Sequence, residues 1–267
     1  MPMRTIRKFL SEVNQQRDVI WSLGVRDFRR KYVQNTLGIV WAIVDPIAFV
    51  GILYLIFSSR FNNSGSGEIP FVVYLLCGNM AFDLFSNLQS LTQVIRDHEF
   101  LIKKVQFRME LLPLVRLMSG LILHGIVMSV AIAIILFNGI WPDFYWFQLL
   151  YYIFALSVFL TGASWLTSSV YLFFPDISHI TAIINRVLFF LTPVFWKLED
   201  LPEATARWVK LNPMVYIVNG YRDSLLYGRG FWCYPWQTLY FWAFSLGLIW
   251  AGITVHNKLR PHFAEVV

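Results

Sequence analysis

The chain has 267 residues, of which 57% are hydrophobic, 18% aromatic and only 14% charged, with a formal net charge of +6 and a mean hydropathy of +0.55. A soluble domain carries about a quarter charged residues, so an ordinary soluble globular protein is excluded. The basic excess is no nucleic-acid signature either, because Lys and Arg gather beside long apolar runs rather than on one folded face.

Met1–Leu10 holds charges but lacks the apolar core and small-residue cleavage site of a signal peptide. Over residues 4–24, Ile6, Phe9, Leu10, Val13, Ile20 and Leu23 fall near helical spacing, with Arg4, Arg7, Lys8 and Arg17 among them. That pattern predicts an amphipathic helix lying in the membrane interface, its basic side chains reaching lipid phosphates. A surface helix of a soluble domain would need a domain that this composition does not supply.

A helix needs roughly 20 apolar residues, at 1.5 Å each, to cross about 30 Å of hydrocarbon. The apolar runs predict spans at Leu37–Ser58, Phe71–Leu91, Leu111–Phe137, Phe147–Phe173, Ile177–Trp196 and Tyr234–Val255. The expected fold is therefore an all-α integral membrane protein of six spans. Its parts are a basic interfacial segment (1–36), a six-span domain (37–256) and a short tail (257–267). Arg26, Arg29, Arg30 and Lys31 precede the first span, and Arg96, Lys103, Lys104 and Arg108 lie between the second and third. Lys258 and Arg260 follow the last, whereas the first two opposite loops have Arg60 alone and then none at Asn138–Trp146; residues 197–233 resist the pattern with Lys197, Arg207, Lys210, Arg222 and Arg229. The positive-inside rule then places both termini in the cytoplasm.

Two connections stand out. Arg96–Glu110 interleaves charge with Phe100, Leu101, Ile102, Val105 and Phe107 at roughly helical spacing, which predicts a cytoplasmic helix whose apolar stripe needs lipid or another subunit. Residues 197–233 would be external, yet are rich in Trp, Val, Leu and Tyr and helical in pattern over Val215–Tyr227. That is too short to cross, so two short re-entrant helices returning against neighbouring spans are expected. Cys77 falls within a span and Cys233 just before another, which disfavours a disulfide.

Much chemistry is missing from the sequence. There is no GxxxxGK[ST] phosphate loop, no HExxH or other metal-ligand spacing among the five histidines, and no GxSxG elbow. No metal or cofactor is expected on this chain. Asp45, Asp83, Arg116 and Arg186 fall within spans, where charges are costly and face a partner or water. Arg116, near a boundary, suits an internal ion pair or a headgroup. The other three fit such a pair or a polar path equally well. Most Trp and Tyr residues mark the interfaces, while mid-span Trp41, Tyr54, Phe189 and Phe190 serve either packing or stacking on a sugar.

The run Arg30–Pro46 (RKYVQNTLGIVWAIVDP), with Leu37, Gly38, Trp41 and Pro46, resembles the start of the first span in permease subunits of ABC exporters for cell-surface polysaccharides. Thr192-Pro193 and Leu211-Asn212-Pro213-Met214 are similar to that family too, and the likeness covers nearly the whole chain. Phe137–Ile153 and Lys258–Val267 look most like the teichoic-acid export branch. In one departure, Pro175-Asp176 stands where many relatives carry Arg-Asp, so no basic role carries over to that loop.

The resemblance implies a homodimeric permease in a bacterial plasma membrane, served by two copies of an ATP-binding subunit that holds ATP and magnesium. The cargo would be a teichoic acid linked to undecaprenyl diphosphate. On that reading Arg26, Arg29, Arg30 and Lys31 receive the diphosphate, and Trp41, Asp45, Tyr54, Phe189 and Phe190 line a path between the first and fifth spans of two copies. Glu99, Phe100, Leu101, Ile102, Lys103 and Lys104 contact the ATPase, and Asn212, Pro213, Tyr216 and Tyr221 form an external gate. An O-antigen or capsular polysaccharide is the nearest alternative cargo. From other classes, an integral-membrane transferase or phosphatase would need polar residues clustered at one depth. An ion channel or a secondary transporter would run without ATP, and the inverted repeat of many secondary transporters is not seen.

Overall fold

A computed structural model of the chain describes residues 11, 13–33, 38–62, 69–98 and 109–263; among these there are helices and no strand. They run as α1 (Arg17–Phe28), widening into a π turn at Arg29–Val33; α2 (Val40–Asn62); α3 (Phe71–Ser86), continued by short turns at Leu88–Thr92 and Val94–Asp97; α4 (Leu112–Phe137); α5 (Gln148–Tyr171); α6 (Ile177–Leu191); α7 (Glu203–Val209); α8 (Pro213–Arg222), with a π turn at Asp223–Tyr227; and α9 (Pro235–Leu259).

Among the described residues, five helical stretches are long and apolar enough to cross a membrane: Val40–Ser58, Phe71–Thr92, Met109–Phe137, Phe144–Tyr171 and Pro235–His262. These match five of the expected spans. The sixth, expected over Ile177–Trp196, is helical only through Leu191. Its 15 residues cover roughly 22 Å at 1.5 Å each. Pro193 is the cause: its ring disfavours helical backbone at the residue before it, and Thr192 is extended at φ −95°, ψ 138°.

α3 is apolar outside a single polar stripe and sits at the centre, with Val73, Leu75, Cys77, Ala81 and Leu84 fully buried. α2 and α6 lie outside it and keep broad apolar faces exposed, among them Ile47, Ile52, Leu55, Ile183 and Phe190. α5 and α9 cross so closely that a Cβ on Gly162 would meet the Ile249 backbone nitrogen at 2.7 Å, and one on Gly252 the Gly162 carbonyl at 2.6 Å. Absent side chains permit that approach.

Ion pairs gather the basic segments at one end. Arg116 bridges Asp27, at 3.2 Å, and Asp97, joining α1, the end of α3 and the start of α4. Arg260 pairs with Glu110. Arg116 is thus an internal ion pair, one of the two readings open to it. α1 differs from expectation in what it packs on: Ile20 is buried against Leu111 and Val115 with Leu23 alongside, so this apolar side meets α4 rather than lipid. Trp21 is exposed instead. Cys77 and Cys233 are both free.

Candidate functional site

A cleft runs up α3 from the basic end. Its mouth, of 390 Å³, is lined by Asp27, Arg30, Lys31, Asp97, His98 and Arg116. Next comes a polar chamber of 300 Å³ containing Lys31, Tyr32, Asp83, Ser86, Ser90 and Gln93. Above it lies an aromatic chamber of 340 Å³ lined by Trp41, Asp45, Phe49, Phe82 and Phe189 together with Asn79, Asp83 and Ser86. Lys31 is common to the first two chambers, and Tyr32, Asp83, Ser86 and Leu123 to the last two. The cleft therefore grades from a charged mouth, where Arg30 and Lys31 stand beside the Arg116–Asp27–Asp97 ion pairs, through hydroxyl, amide and carboxylate groups to aromatic rings.

One helical face builds its polar wall. Asn79, Asp83, Ser86, Ser90, Gln93 and Asp97 follow one another at intervals of four, three, four, three and four residues, which keeps them on one stripe of a helix. The stripe can be read in the sequence; considering Asp83 alone as an isolated charge conceals it. The Oδ2 atom of Asp83 is buried without a hydrogen-bond partner among the described residues, leaving an acceptor at the junction of the two upper chambers. Opposite, Phe189 packs edge-on to Phe49 at 5.5 Å and to Phe82 at 5.2 Å, presenting a rigid ring at the same level.

The predicted residues divide accordingly. Arg30 and Lys31 line the mouth, and Trp41, Asp45 and Phe189 line the aromatic chamber. Arg26 and Arg29 are exposed beside the mouth without lining it. Tyr54 stands away from the cleft, stacked on Phe71 at 6.4 Å, and Phe190 is exposed on the outer face of α6. Arg186 is exposed on that helix too. Glu99, Phe100, Leu101, Ile102, Lys103 and Lys104 lie outside the described residues.

At the opposite end the segment after α6 is bolted down by side chains. Asn212 caps α8 by accepting from the Met214 amide at 3.0 Å, and donates to the Thr192 hydroxyl at 2.8 Å. Pro213, with no N–H to lose, begins that helix. Two of the strings that carry the family likeness, Thr192-Pro193 and Leu211–Met214, are therefore in direct contact. Arg222, to which the sequence assigns no role beyond an external basic charge, is fully buried; it donates to the Pro193 carbonyl and, at 2.7 Å, to that of Val194. Its guanidinium lies 3.5 Å over the Tyr74 ring. Gly78 leaves the space: a Cβ there would come within 2.5 Å of the Arg222 Nη2. Tyr216 and Tyr221 are buried rather than lining an opening. Tyr216 shares hydrogen bonds with Tyr151 at 2.8 Å and Thr238 at 3.1 Å, and Tyr221 meets His124 at 3.0 Å. Burial pushes the Asp223 carboxyl up to about 6, against the opposing pull of Arg229 and Arg222.

Among the described residues, no three His, Cys, Asp or Glu side chains come together to hold a metal. Comparison with known proteins then gives a consistent answer. The family model described as ABC-2 type transporter matches residues 18–226. An O-antigen export system permease protein, RfbA, of Klebsiella pneumoniae is 27% identical over 256 residues, 94% of this chain and 95% of that protein. Its namesake in Myxococcus xanthus is 24% identical over 266 residues, covering 97% and 99%. The polysialic acid transport protein KpsM of Escherichia coli is 23% identical over 220 residues, covering 80% and 83%.

Proposed function

The chain belongs to the ABC-2 type transporter family, and from that membership we propose that it is the permease subunit of an ATP-driven exporter of a lipid-linked cell-envelope polysaccharide. The observation that carries the proposal is the graded cleft. A diphosphate headgroup suits cations at a mouth still open to water, where its charge is neutralised without full burial. Sugar rings suit what lies above: hydroxyl, amide and carboxylate groups on one wall and flat rings on the other. The near end-to-end match to permeases named for O-antigen and polysialic acid supports a polysaccharide cargo.

The rest of the machine follows as part of the same proposal. Two copies enclose the path, with both termini cytoplasmic, and two ATP-binding subunits engage the Glu99–Lys104 segment. ATP and magnesium belong to those subunits, and the work of hydrolysis reaches the cleft through α1 and the basic end. α7 and α8 close the far exit until the contacts of Asn212, Tyr216 and Tyr221 let go. Within the polysaccharides, undecaprenyl-diphosphate-linked teichoic acid rests on the strings Phe137–Ile153 and Lys258–Val267. O-antigen or capsule is a second reading, favoured by the names of the relatives.

The experiment is reconstitution of the permease with its ATPase in lipid nanodiscs, titrated with lipid-linked teichoic acid and with a lipid-linked O-antigen. Stimulation of hydrolysis by one of them is expected, weakened by joint charge reversal of Arg29, Arg30 and Lys31 more than basal turnover is. No stimulation by any lipid-linked polymer would refute the export reading.

A further inference from the structure

Two charges of opposite sign sit on apolar helix faces without a partner among the described residues. Asp45 is exposed on α2 beside Val44, Ile47 and Phe49, and Arg186 is exposed on α6 beside Ile183 and Val187. Neither makes an ion pair or hydrogen bond among the described residues. A bare charge within an apolar span is costly and calls for a counter-charge or water.

The two stand at one level. Both helices run away from the basic end, since each starts there. Phe49 of α2 meets Phe189 of α6 at 5.5 Å. Asp45 lies four residues before Phe49 and Arg186 three before Phe189, about one helical turn back in each case. A second contact agrees: Asn185 donates to the Ser86 carbonyl at 3.2 Å, and Ser86 lines the same chamber as Asp45. The chamber is open on this side, where Trp41 and Phe49 are exposed.

We propose that Asp45 of one copy pairs with Arg186 of a second copy, twice over, and that the second copy thereby completes the wall of the cleft. The pairing rests on the two-copy reading above. In a two-fold dimer whose axis follows the spans, both copies share one depth and each contact is reciprocal. Charges at equal depth and of opposite sign are then complementary between α2 of one copy and α6 of the other. The pair also sets which faces meet, because a slip by one turn would leave both charges in apolar surroundings.

Reciprocity supplies the test. In cells depleted of the parental permease, Asp45→Arg alone and Arg186→Asp alone each put like charges at both contacts, so surface polymer should fall to background. Two differently tagged copies, one carrying each substitution, form mixed dimers in which both contacts are again of opposite sign. Random assortment makes about half of the dimers mixed, so export should recover to about half the parental level. Normal export by either single variant overturns the pairing. So does failure of the mixture while the tagged copies still insert and copurify, an outcome that leaves the two-copy reading standing. Rescue only when both substitutions share one chain assigns the pair within a copy and overturns it too. If tagged parental copies never copurify, the two-copy reading fails and takes the pairing with it. Cross-linking serves as a second measurement that needs no export. In a Cys233→Ser background, with Cys77 buried, an Asp45→Cys copy should join an Arg186→Cys copy of different tag through a short dithiol-specific linker. Absence of that adduct in copurified dimers contradicts the proposal.

Discussion

Replacing Arg222 with Met should release the segment after α6 while leaving the rest of the bundle intact. The guanidinium supplies donors to the Pro193 and Val194 carbonyls and covers the Tyr74 ring. Trading a buried ion pair for apolar groups is often neutral because both partners go, but here the partners are backbone carbonyls that no substitution removes. Leaving two of them unsatisfied costs about 1–3 kcal/mol each, or about 2–6 kcal/mol together. The lost cation–π contact adds to this, and relief from burying the charge subtracts. Even 2 kcal/mol raises local opening by roughly 30-fold. Hydrogen exchange in nanodiscs reads it directly: the amides of Thr192, of residues 194–196 and of α8 should exchange at least that much faster, while α5 and α9 hold parental rates. Gly78→Ala should do the same without touching the arginine, since its Cβ displaces the Arg222 Nη2. Parental exchange at Thr192 and residues 194–196 in Arg222→Met would refute the argument that these carbonyls depend on it.

Gly162→Ala should lower the thermal midpoint, because its Cβ must displace the Ile249 backbone at a cost of about 1–3 kcal/mol. Gly247→Ala, with nothing within 4 Å of the new Cβ, should be neutral or gain up to about 1 kcal/mol in helix propensity; equal midpoints would undo the close-crossing argument. The Asp223 carboxyl, raised to about 6 by burial, holds its proton more tightly folded than unfolded, where it titrates near 3.9. Its contribution to stability is therefore full below about pH 4 and is lost as pH rises through about 6. Asp223→Asn should remove that decline, whereas parallel pH–stability profiles would contradict it. Among the aromatic residues, Trp41→Ala and Phe189→Ala should slow export in the reconstituted complex, and Tyr54→Ala and Phe190→Ala should not, because only the first two line the cleft. Equal slowing by all four would mean that the cleft does not define the path.

What could be read from the sequence was what hydropathy and charge control. Five span positions, the clustering of basic segments at one end and the short helices before α9 follow from the cost of polar groups in hydrocarbon, which for Arg116 leaves an ion pair and a headgroup contact both open. The span expected over Ile177–Trp196 ran too far because hydropathy counts apolar residues, while Pro193 acts on backbone geometry. Tyr54 and Phe190 were grouped with Trp41 and Phe189 because composition tells that a ring lies mid-span but not which way it turns. Asn79, Asp83, Ser86, Ser90 and Gln93 were legible as a stripe, though each residue alone looked like a tolerated polar interruption. Arg222 was not legible in this way. Its acceptors are carbonyls that leave no mark in the sequence, and an arginine in an external segment resembles any solvated charge.

The central claim is that polymer passes along the polar and aromatic face of α3. A photoreactive amino acid placed at Ser86 and Ser90 on that face, and at Leu239 and Trp250 on the exposed face of α9, measures it most directly in an actively exporting complex. The account predicts polymer adducts from Ser86 and Ser90 that disappear when ATP hydrolysis is blocked and the path has cleared, with only lipid adducts from the α9 positions. Polymer captured equally from Leu239 and Trp250, or none from Ser86 and Ser90 during export, would contradict it.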